Sequence, residues 1–186
     1  MALATPKQGT RPTTDRTKEA IFSHLDSWGV LDDARVLDLF AGTGALGIEA
    51  LSRGARELVA VEASKPAAAL VAGTLKQLKR NRSWTAELRA RVLVRKAEAL
   101  AAATADAPYD VVFIDPPYRM ENTGEMCAAL KDKGLLGDAF LILVEHRRGM
   151  APLLDGRFEA YDLRRYGDTE ITFVRRAQDR RTAGDA

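Results

Sequence analysis

The chain has 186 residues, of which 46% are hydrophobic and 29% are charged, and its formal net charge is +2. This length fits a single globular domain with short polar ends, because one domain commonly takes roughly 100 to 200 residues. The apolar runs are far shorter than the roughly 18 residues of a membrane-spanning helix, and the first residues lack the apolar region of a signal peptide. We therefore expect a cytoplasmic protein with no membrane partner.

Metal-ligating residue types are few and scattered. The chain has one cysteine, Cys127, and two histidines, His24 and His146, which lie far apart in sequence. A structural zinc site needs closely spaced pairs of such residues, and a disulfide needs a second cysteine. We expect no metal and no internal disulfide.

The apolar pattern predicts alternating helices and strands from residue 15 to residue 146. A first helix at 15–28 is followed by strands at 36–40, 57–62, 91–95, 109–115 and 140–146, with helices at 46–52, 66–80, 98–103 and 121–131 between them. Strands that are apolar almost throughout and alternate with helices favour an α/β fold, in which a doubly wound parallel sheet is covered on both faces.

The end of the chain has a different pattern. Strands are expected at 157–165 and 170–175, and only Tyr166-Gly-Asp-Thr169 separates them. This is too short for a crossover helix, so the two strands are predicted to pair antiparallel. The expected organisation is an N-terminal segment at 1–14, a folded domain at 15–176 and a polar tail at 177–186.

A glycine-rich loop joins the first strand of the sheet to the following helix. It reads Asp38-Leu-Phe-Ala-Gly-Thr-Gly-Ala-Leu-Gly47, which gives Gly42, Gly44 and Gly47 the spacing of nucleotide-binding α/β proteins. Open α/β sheets bind ligands at their carboxyl edge, so backbone N–H groups of this loop are expected to face a ligand. The spacing alone fits a nicotinamide as well as S-adenosylmethionine.

Two carboxylates favour S-adenosylmethionine. Asp38 lies just before the glycines, where it can face the methionyl ammonium, a charge that NAD lacks. Glu62 ends the next strand, where a carboxylate can hold both ribose hydroxyls. Ala97 and Glu98, after the third strand, are expected near the adenine. The full set of predicted cofactor-binding residues is Asp38, Phe40, Gly42, Thr43, Gly44, Glu62, Ala97, Glu98 and Asp115.

The segment Asp115-Pro-Pro-Tyr118 follows a further apolar strand and forms a rigid loop, because proline fixes the backbone and donates no hydrogen bond. An exocyclic amine on a base is a poor nucleophile, since its lone pair is delocalised into the ring. The Asp115 side chain and the Pro116 carbonyl can each accept one amine hydrogen and so aim the lone pair at a sulfonium methyl group. Tyr118 is expected to stack on a flipped base, with Pro117 beside it. The predicted catalytic residues are Asp115, Pro116 and Tyr118.

Several motifs together carry a family resemblance. They are Arg11-Pro-Thr-Thr-Asp-Arg16, the glycine loop continued to Gly54, Val61-Glu62, and Asp115-Pro-Pro-Tyr118. From about Gly9 to Val174 the chain resembles the RsmD-type family of bacterial 16S ribosomal-RNA guanine-N2 methyltransferases. The resemblance implies a Rossmann-like class I methyltransferase with a mostly parallel seven-stranded sheet and an antiparallel C-terminal hairpin.

The same resemblance implies the cofactor and the partner. The cofactor would be S-adenosyl-L-methionine, and the substrate would be 16S rRNA within a 30S subunit or an assembly intermediate, methylated by a monomeric enzyme. Residues over the base and the RNA would be Arg11, Thr13, Asp15, Arg16, Pro117 and Tyr118. Family members usually begin with a basic strand, whereas this chain begins Met-Ala-Leu-Ala-Thr-Pro, so we expect its N-terminal segment to be shorter.

Other functions remain open at this point. DNA amino-methylation at adenine N6 or cytosine N4 uses the same chemistry, although 186 residues leave no room for a sizeable target-recognition domain. Cytosine C5 methylation needs a thiolate, and Cys127 is expected to be a small buried residue. Protein glutamine methylation uses a similar loop with Asn at the position of Asp115. Two further alternatives are a noncatalytic assembly factor that binds S-adenosylmethionine or RNA, and a nicotinamide oxidoreductase.

Overall fold

A computed structural model describes residues 15–99, 108–117 and 120–178. Residues 1–14 and most of the polar tail lie outside these ranges. No helix in the described ranges is long and apolar enough to cross a membrane. The elements in chain order are α1 (Asp15–Trp28), β1 (Arg35–Asp38), α2 (Ala45–Ser52), β2 (Glu57–Glu62), α3 (Lys65–Leu78), β3 (Arg89–Val94), β4 (Tyr109–Ile114), α4 (Thr123–Asp132), β5 (Leu136–Arg147), β6 (Phe158–Tyr166) and β7 (Thr169–Arg176).

The strands form one seven-stranded sheet in the order β3-β2-β1-β4-β5-β7-β6. Strands β1 to β5 run parallel, and β7 runs antiparallel to both β5 and β6. This confirms the predicted α/β class with its antiparallel C-terminal hairpin. The chain winds from β1 to β3 in one direction and then returns to the other side of β1 with β4. The loops after β1 and β4 therefore flank the switch point where open α/β sheets bind ligands.

Some element boundaries differ from those expected. β5 begins at Leu136 instead of residue 140, because the buried Leu136 still pairs with Tyr109 of β4 before the register shifts. β1 ends at Asp38, since the chain then turns into the glycine loop and the Ala41 N–H bonds to the Val61 carbonyl. Where a helix is expected over 98–103, the structure has a single 3-10 turn at Ala97–Ala99, and residues 100–107 lie outside the described part.

The two faces of the sheet carry separate hydrophobic cores. α1, α2 and α3 cover one face, where the Phe22 ring of α1 lies 6.0 Å from the Phe113 ring of β4. α4 covers the other face with Met126, Cys127 and Leu130. Burying one such large apolar side chain contributes roughly 1.5 to 3 kcal/mol, so both faces stabilise the sheet. The result is a rigid carboxyl edge from which the loops project.

Arg53, at the end of α2, ties α1 to the domain. Its guanidinium pairs with Glu19 at 2.8 Å and Asp26 at 2.5 Å on α1, and with Glu49 at 2.7 Å on α2. It also lies over the Phe22 ring at 5.4 Å. The carboxylates raise the pKa of Arg53, so it stays charged at every pH at which the protein is folded.

We expect Arg53→Ala to lower the free energy of unfolding by about 1 to 2 kcal/mol, because it removes a networked cation and leaves three carboxylates close together. Urea denaturation at neutral pH measures the loss. Arg56→Ala is the matched control, since Arg56 is half-exposed and meets only Asp33 at 3.8 Å. Equal stability of the two variants would show that the Arg53 network does not hold α1.

Candidate active site at the carboxyl edge of the sheet

Glu62 holds the glycine loop against the end of β2. Its Oε2 accepts the Gly42 N–H at 2.8 Å, and its Oε1 accepts the Ser64 N–H at 2.7 Å. Gly42 has φ of 53°, a left-handed conformation that glycine adopts without strain. A carboxylate oxygen has two lone pairs, so each oxygen of Glu62 can accept one more hydrogen bond. Glu62 thus shapes the loop and keeps acceptor capacity for a ligand.

Asp38 lies beneath the start of α2. Its side chain is 1% exposed, and its Oδ2 accepts the Gly47 N–H at 3.1 Å. A Cβ at Gly47 would lie 2.5 Å from a methyl group of Leu58, so only glycine allows α2 to pack this close to β2. Gly44 precedes α2 with φ of 78°. The loop therefore brings Asp38, Glu62 and the N-terminus of α2 together.

Burial, assisted by the nearby charge of Glu62, raises the pKa of Asp38 to about 7, although the hydrogen bond from Gly47 opposes the shift. Near neutral pH this carboxyl group lies between its neutral and ionised forms. A cation placed beside it would favour the ionised form. The position therefore fits a positively charged ligand group.

The raised pKa of Asp38 makes the stability of the folded protein depend on pH. The folded-state pKa of Asp38 lies above its ordinary value of 3.8, so ionisation opposes folding as the pH rises from about 4 to 7. Asp38→Asn keeps an acceptor for the Gly47 N–H and removes the charge. As the pH rises from about 4 to 7, we expect the free energy of unfolding of Asp38→Asn to increase, relative to that of the unchanged protein, by up to about 4 kcal/mol. Urea denaturation at several pH values between 4 and 8 tests it, and a pH-independent difference would contradict it.

Asp115 follows β4 at the same edge and is half-buried. Burial raises its pKa well above the ordinary value, and the charges of Glu145 and Asp38 add to this effect. Beyond it, the Pro117 carbonyl accepts the Met120 N–H at 3.0 Å. The glycine loop and the Asp115 loop thus lie on either side of the switch point, close enough for the charge of Asp38 to act on Asp115.

A small cavity lies next to these carboxyl residues, beneath α1 and the first turn of α2. Asp115 and Glu145 border it, but its surface is apolar. Its other lining residues are Ile21, Leu46, Phe113, Ile114, Leu143 and Ile171. An open pocket is formed by Pro117, Met120, Glu121 and Asn122, in the segment after β4. The carboxyl edge therefore has a small apolar cavity beside Asp115 and Glu145 and an open pocket after β4.

The structure brings together Asp38, Gly42, Gly44 and Glu62 from the predicted cofactor set, with Asp115 close by. Phe40 and Thr43 are half-buried in the loop. The segment after β3 reaches the end of β2, because the Arg95 N–H bonds to the Glu62 carbonyl at 3.1 Å. The Ala97 side chain, however, is 3% exposed and packs in the core, while Glu98 is exposed.

The predicted RNA contacts are described only in part. Asp15 and Arg16 are exposed in the first turn of α1, whose Ile21 lines the cavity beside Asp115. Arg11, Thr13 and Tyr118 lie outside the described residues, so their predicted roles stay predictions. Pro116 is half-buried and Pro117 is exposed.

Sequence reasoning did not identify Glu145 as a site residue. Glu145 follows the apolar run Leu141–Val144 in the same way that Asp115 follows the run ending at Ile114, and these two strands pair in parallel. An acidic residue at the carboxyl end of a neighbouring strand was therefore the available signal.

Cys127 is buried in α4 on the far face of the sheet from the cavity. Burial raises its pKa to about 12. A thiolate, and not a thiol, is the nucleophile in cysteine chemistry. Cys127 therefore does not fit the nucleophile of cytosine C5 methylation.

The order of the strands, the antiparallel C-terminal hairpin and the glycine loop clamped by an acidic residue define a class I methyltransferase fold. The solved structure of magnesium protoporphyrin IX methyltransferase from Synechocystis with bound SAM has this fold, with a TM-score of 0.61 at 14% identity over 91% of this chain and 87% of that one. The chain belongs to the family described as Conserved hypothetical protein 95, whose model matches residues 2–175.

Named relatives are found in several bacteria. The chain is 39% identical over 137 residues to ribosomal RNA small subunit methyltransferase D of Escherichia coli, covering 74% of this chain and 64% of that protein. The match thus spans just under two thirds of the length of that relative. A putative rRNA methyltransferase of Bacillus subtilis, YlbH, is 36% identical, covering 75% of this chain and 72% of that protein.

A solved structure extends the likeness to almost the whole chain. The putative methyltransferase yhhF from Escherichia coli superposes with a TM-score of 0.77 at 34% identity, covering 94% of this chain and 91% of that chain.

Proposed function

We propose that this protein transfers a methyl group from S-adenosylmethionine to the exocyclic N2 amine of a guanine in 16S ribosomal RNA. The observation that carries the proposal is the position of the Asp115-Pro116-Pro117 loop, which faces the Glu62-clamped glycine loop across the switch point of the sheet. The relatives named as small-subunit rRNA methyltransferases support the choice of substrate. The methyltransferase domain comprises residues 15–176, preceded by an N-terminal segment at 1–14 and followed by a polar tail.

The residues of the glycine loop fit S-adenosylmethionine. Gly42 and Gly44 adopt left-handed conformations, which let the loop turn sharply from β1 into α2. At Gly44 a Cβ would press against Ile48 and Val71, so this glycine also allows the loop to pack closely on α2 and α3. The remaining lone pairs of Glu62 suit two ribose hydroxyls. The buried carboxyl of Asp38 suits an ammonium group, which would favour its ionised form. The bound cofactor supplies an electrophilic methyl group on a sulfonium.

Orientation of the amine is the task of the Asp115 loop. The carboxylate of Asp115 and the carbonyl of Pro116 accept one amine hydrogen each, which holds the nitrogen lone pair in line with the methyl group. Two consecutive prolines keep these acceptors in place, because the backbone cannot rotate freely. Tyr118 stacks on the flipped base, and the extra proton of the methylated amine leaves to solvent.

The outer part of the edge receives the RNA. Pro117 is exposed beside an open pocket, and Asp15 and Arg16 are exposed in the first turn of α1. Arg11, Thr13 and Arg16 approach the base and the phosphates, and phosphate contacts position the RNA without reading its sequence. The protein acts as a monomer in the cytoplasm on a 30S subunit or an assembly intermediate.

Transfer of labelled methyl groups tests the proposal. The purified protein is incubated with methyl-labelled S-adenosylmethionine and either free 16S rRNA, 30S subunits or 23S rRNA from cells that lack this chain. We expect label on the 16S rRNA in one of the first two forms, recovered as N2-methylguanosine, and none on 23S rRNA. A parallel incubation contains DNA in place of RNA, and label recovered only there, on adenine or cytosine, would support DNA amino-methylation. Calorimetric binding of NAD but not S-adenosylmethionine would support an oxidoreductase.

A further inference from the structure

Two carboxyl residues, Asp115 and Glu145, lie side by side at the carboxyl edge of the sheet, where the proposed transfer takes place. β4 and β5 are parallel neighbours with Ile114 paired to Val144, so the next residues, Asp115 and Glu145, follow in the same register. Both belong to the sheet face that carries Phe113 and Leu143, and both line the same small cavity. The Oε2 atom of Glu145 is buried. Burial raises the pKa of Asp115, and the charge of Glu145 raises it as well.

Bases differ in what they present next to the reacting amine. The Watson–Crick edge of guanine carries the N2 amine and, beside it, the N1–H, which is a second donor. In adenine and cytosine the ring nitrogen beside the amine is an acceptor. An ionised carboxylate only accepts hydrogen bonds, so it attracts the guanine N1–H and repels an acceptor nitrogen at the same place.

We infer that Glu145 is a specificity-determining residue, which accepts the N1–H of guanine while Asp115 accepts a hydrogen of the N2 amine. This inference rests on the proposed function and adds to it the residue that selects the base. The geometry matches the task, because neighbouring strands place the two carboxylates next to each other, as the two donors are adjacent on the base. Flipped bases are commonly read through this edge.

The bound guanine would also stabilise the neighbouring carboxylates of Asp115 and Glu145. Two like charges in a partly buried site repel each other and are poorly solvated. Donors from the base offset both costs, whereas a base with an acceptor beside its amine leaves the Glu145 carboxylate facing a lone pair. Sites built to hydrogen-bond a substrate N–H reject analogues that lack it much more strongly than apolar pockets reject a change of shape.

The test replaces the donor on the base and the acceptor on the protein. 16S rRNA is prepared by ligation with either guanosine or 2-aminopurine at the methylated position. It is used in whichever form, free or assembled into 30S particles, the unchanged protein methylates. 2-Aminopurine keeps the amine but has an acceptor at N1. We expect the unchanged protein to prefer guanosine strongly, as measured by the ratio of kcat/KM for guanosine to kcat/KM for 2-aminopurine. The amide of Glu145→Gln can donate a hydrogen bond to the N1 acceptor of 2-aminopurine, so this variant should lower the ratio by about 10- to 100-fold.

Glu87→Gln is the matched control, since Glu87 is exposed before β3, far from the carboxyl edge, and its ratio should equal that of the unchanged protein. Glu145→Asp should retain the preference for guanosine. Thermal unfolding and S-adenosylmethionine affinity verify that Glu145→Gln is folded. An unaltered ratio in a folded Glu145→Gln protein that still methylates guanosine would overturn the inference alone. No methylation of guanosine by the unchanged protein would overturn the proposed function, and the inference with it.

Discussion

Asp115→Ala is expected to lower kcat for methyl transfer by about 10²- to 10³-fold, the usual cost of removing one positioned hydrogen-bonding group from a transition state. The variant should still bind S-adenosylmethionine, because Asp115 is only one of the predicted cofactor-binding residues and the others lie in the glycine loop, at the end of β2 and after β3. The loss should therefore fall on kcat more than on binding of the cofactor. Single-turnover methylation of rRNA and calorimetric titration of the cofactor measure the two quantities separately.

Two further variants sharpen this experiment. Asp115→Asn keeps one acceptor oxygen and removes the charge, so it should retain more activity than the alanine variant. Asp138→Asn makes the same chemical change at an exposed position in the first part of β5, at the opposite edge of the sheet, and should be fully active. Full turnover by Asp115→Ala would rule out the proposed orientation of the amine and favour a noncatalytic binder.

Glu62→Ala is expected to weaken binding of S-adenosylmethionine by roughly 100-fold or more. The variant removes the acceptors proposed for two ribose hydroxyls, and hydrogen bonds to a charged group contribute about 1.5 to 3 kcal/mol each. It also releases the Gly42 N–H that fixes the glycine loop. Calorimetric titration at neutral pH gives the dissociation constant.

The control for Glu62→Ala is Glu125→Ala, because Glu125 is exposed on α4 on the other face of the sheet. This control should bind the cofactor as the unchanged protein does. An unchanged affinity of Glu62→Ala, with the protein folded, would mean that the end of β2 does not form the cofactor site.

Much of the fold follows from local patterns. The apolar runs of β2 and β4 are bounded by polar and turn residues, so both strands were predicted to within one residue, and the four-residue turn at Tyr166–Thr169 required an antiparallel pair. β5 was predicted too short, because its first part contains Gly137, Asp138 and Ala139, which have no apolar periodicity. Pairing with β4 across the sheet, rather than local propensity, extends that strand.

The site was predictable where a motif is local in sequence. The glycine loop and Glu62 were expected to act together, and the Gly42–Glu62 hydrogen bond joins them. The place of Glu145 beside Asp115 depends on which strands are neighbours, and 30 residues of chain separate the two positions. The raised pKa of Asp38 likewise depends on how closely α2 packs over this side chain. The close packing is possible because Gly47 has no Cβ. Such features arise from packing and not from spacing.

Methylation of the N2 amine of a guanine in 16S rRNA is tested most directly in cells, by mass spectrometry of nucleosides mapped along the ribosomal RNA with and without this chain. We expect one N2-methylguanosine in 16S rRNA that disappears without the chain and returns with the unchanged protein, but not with Asp115→Ala. Identical methylation of the ribosomal RNA in both kinds of cell would contradict it.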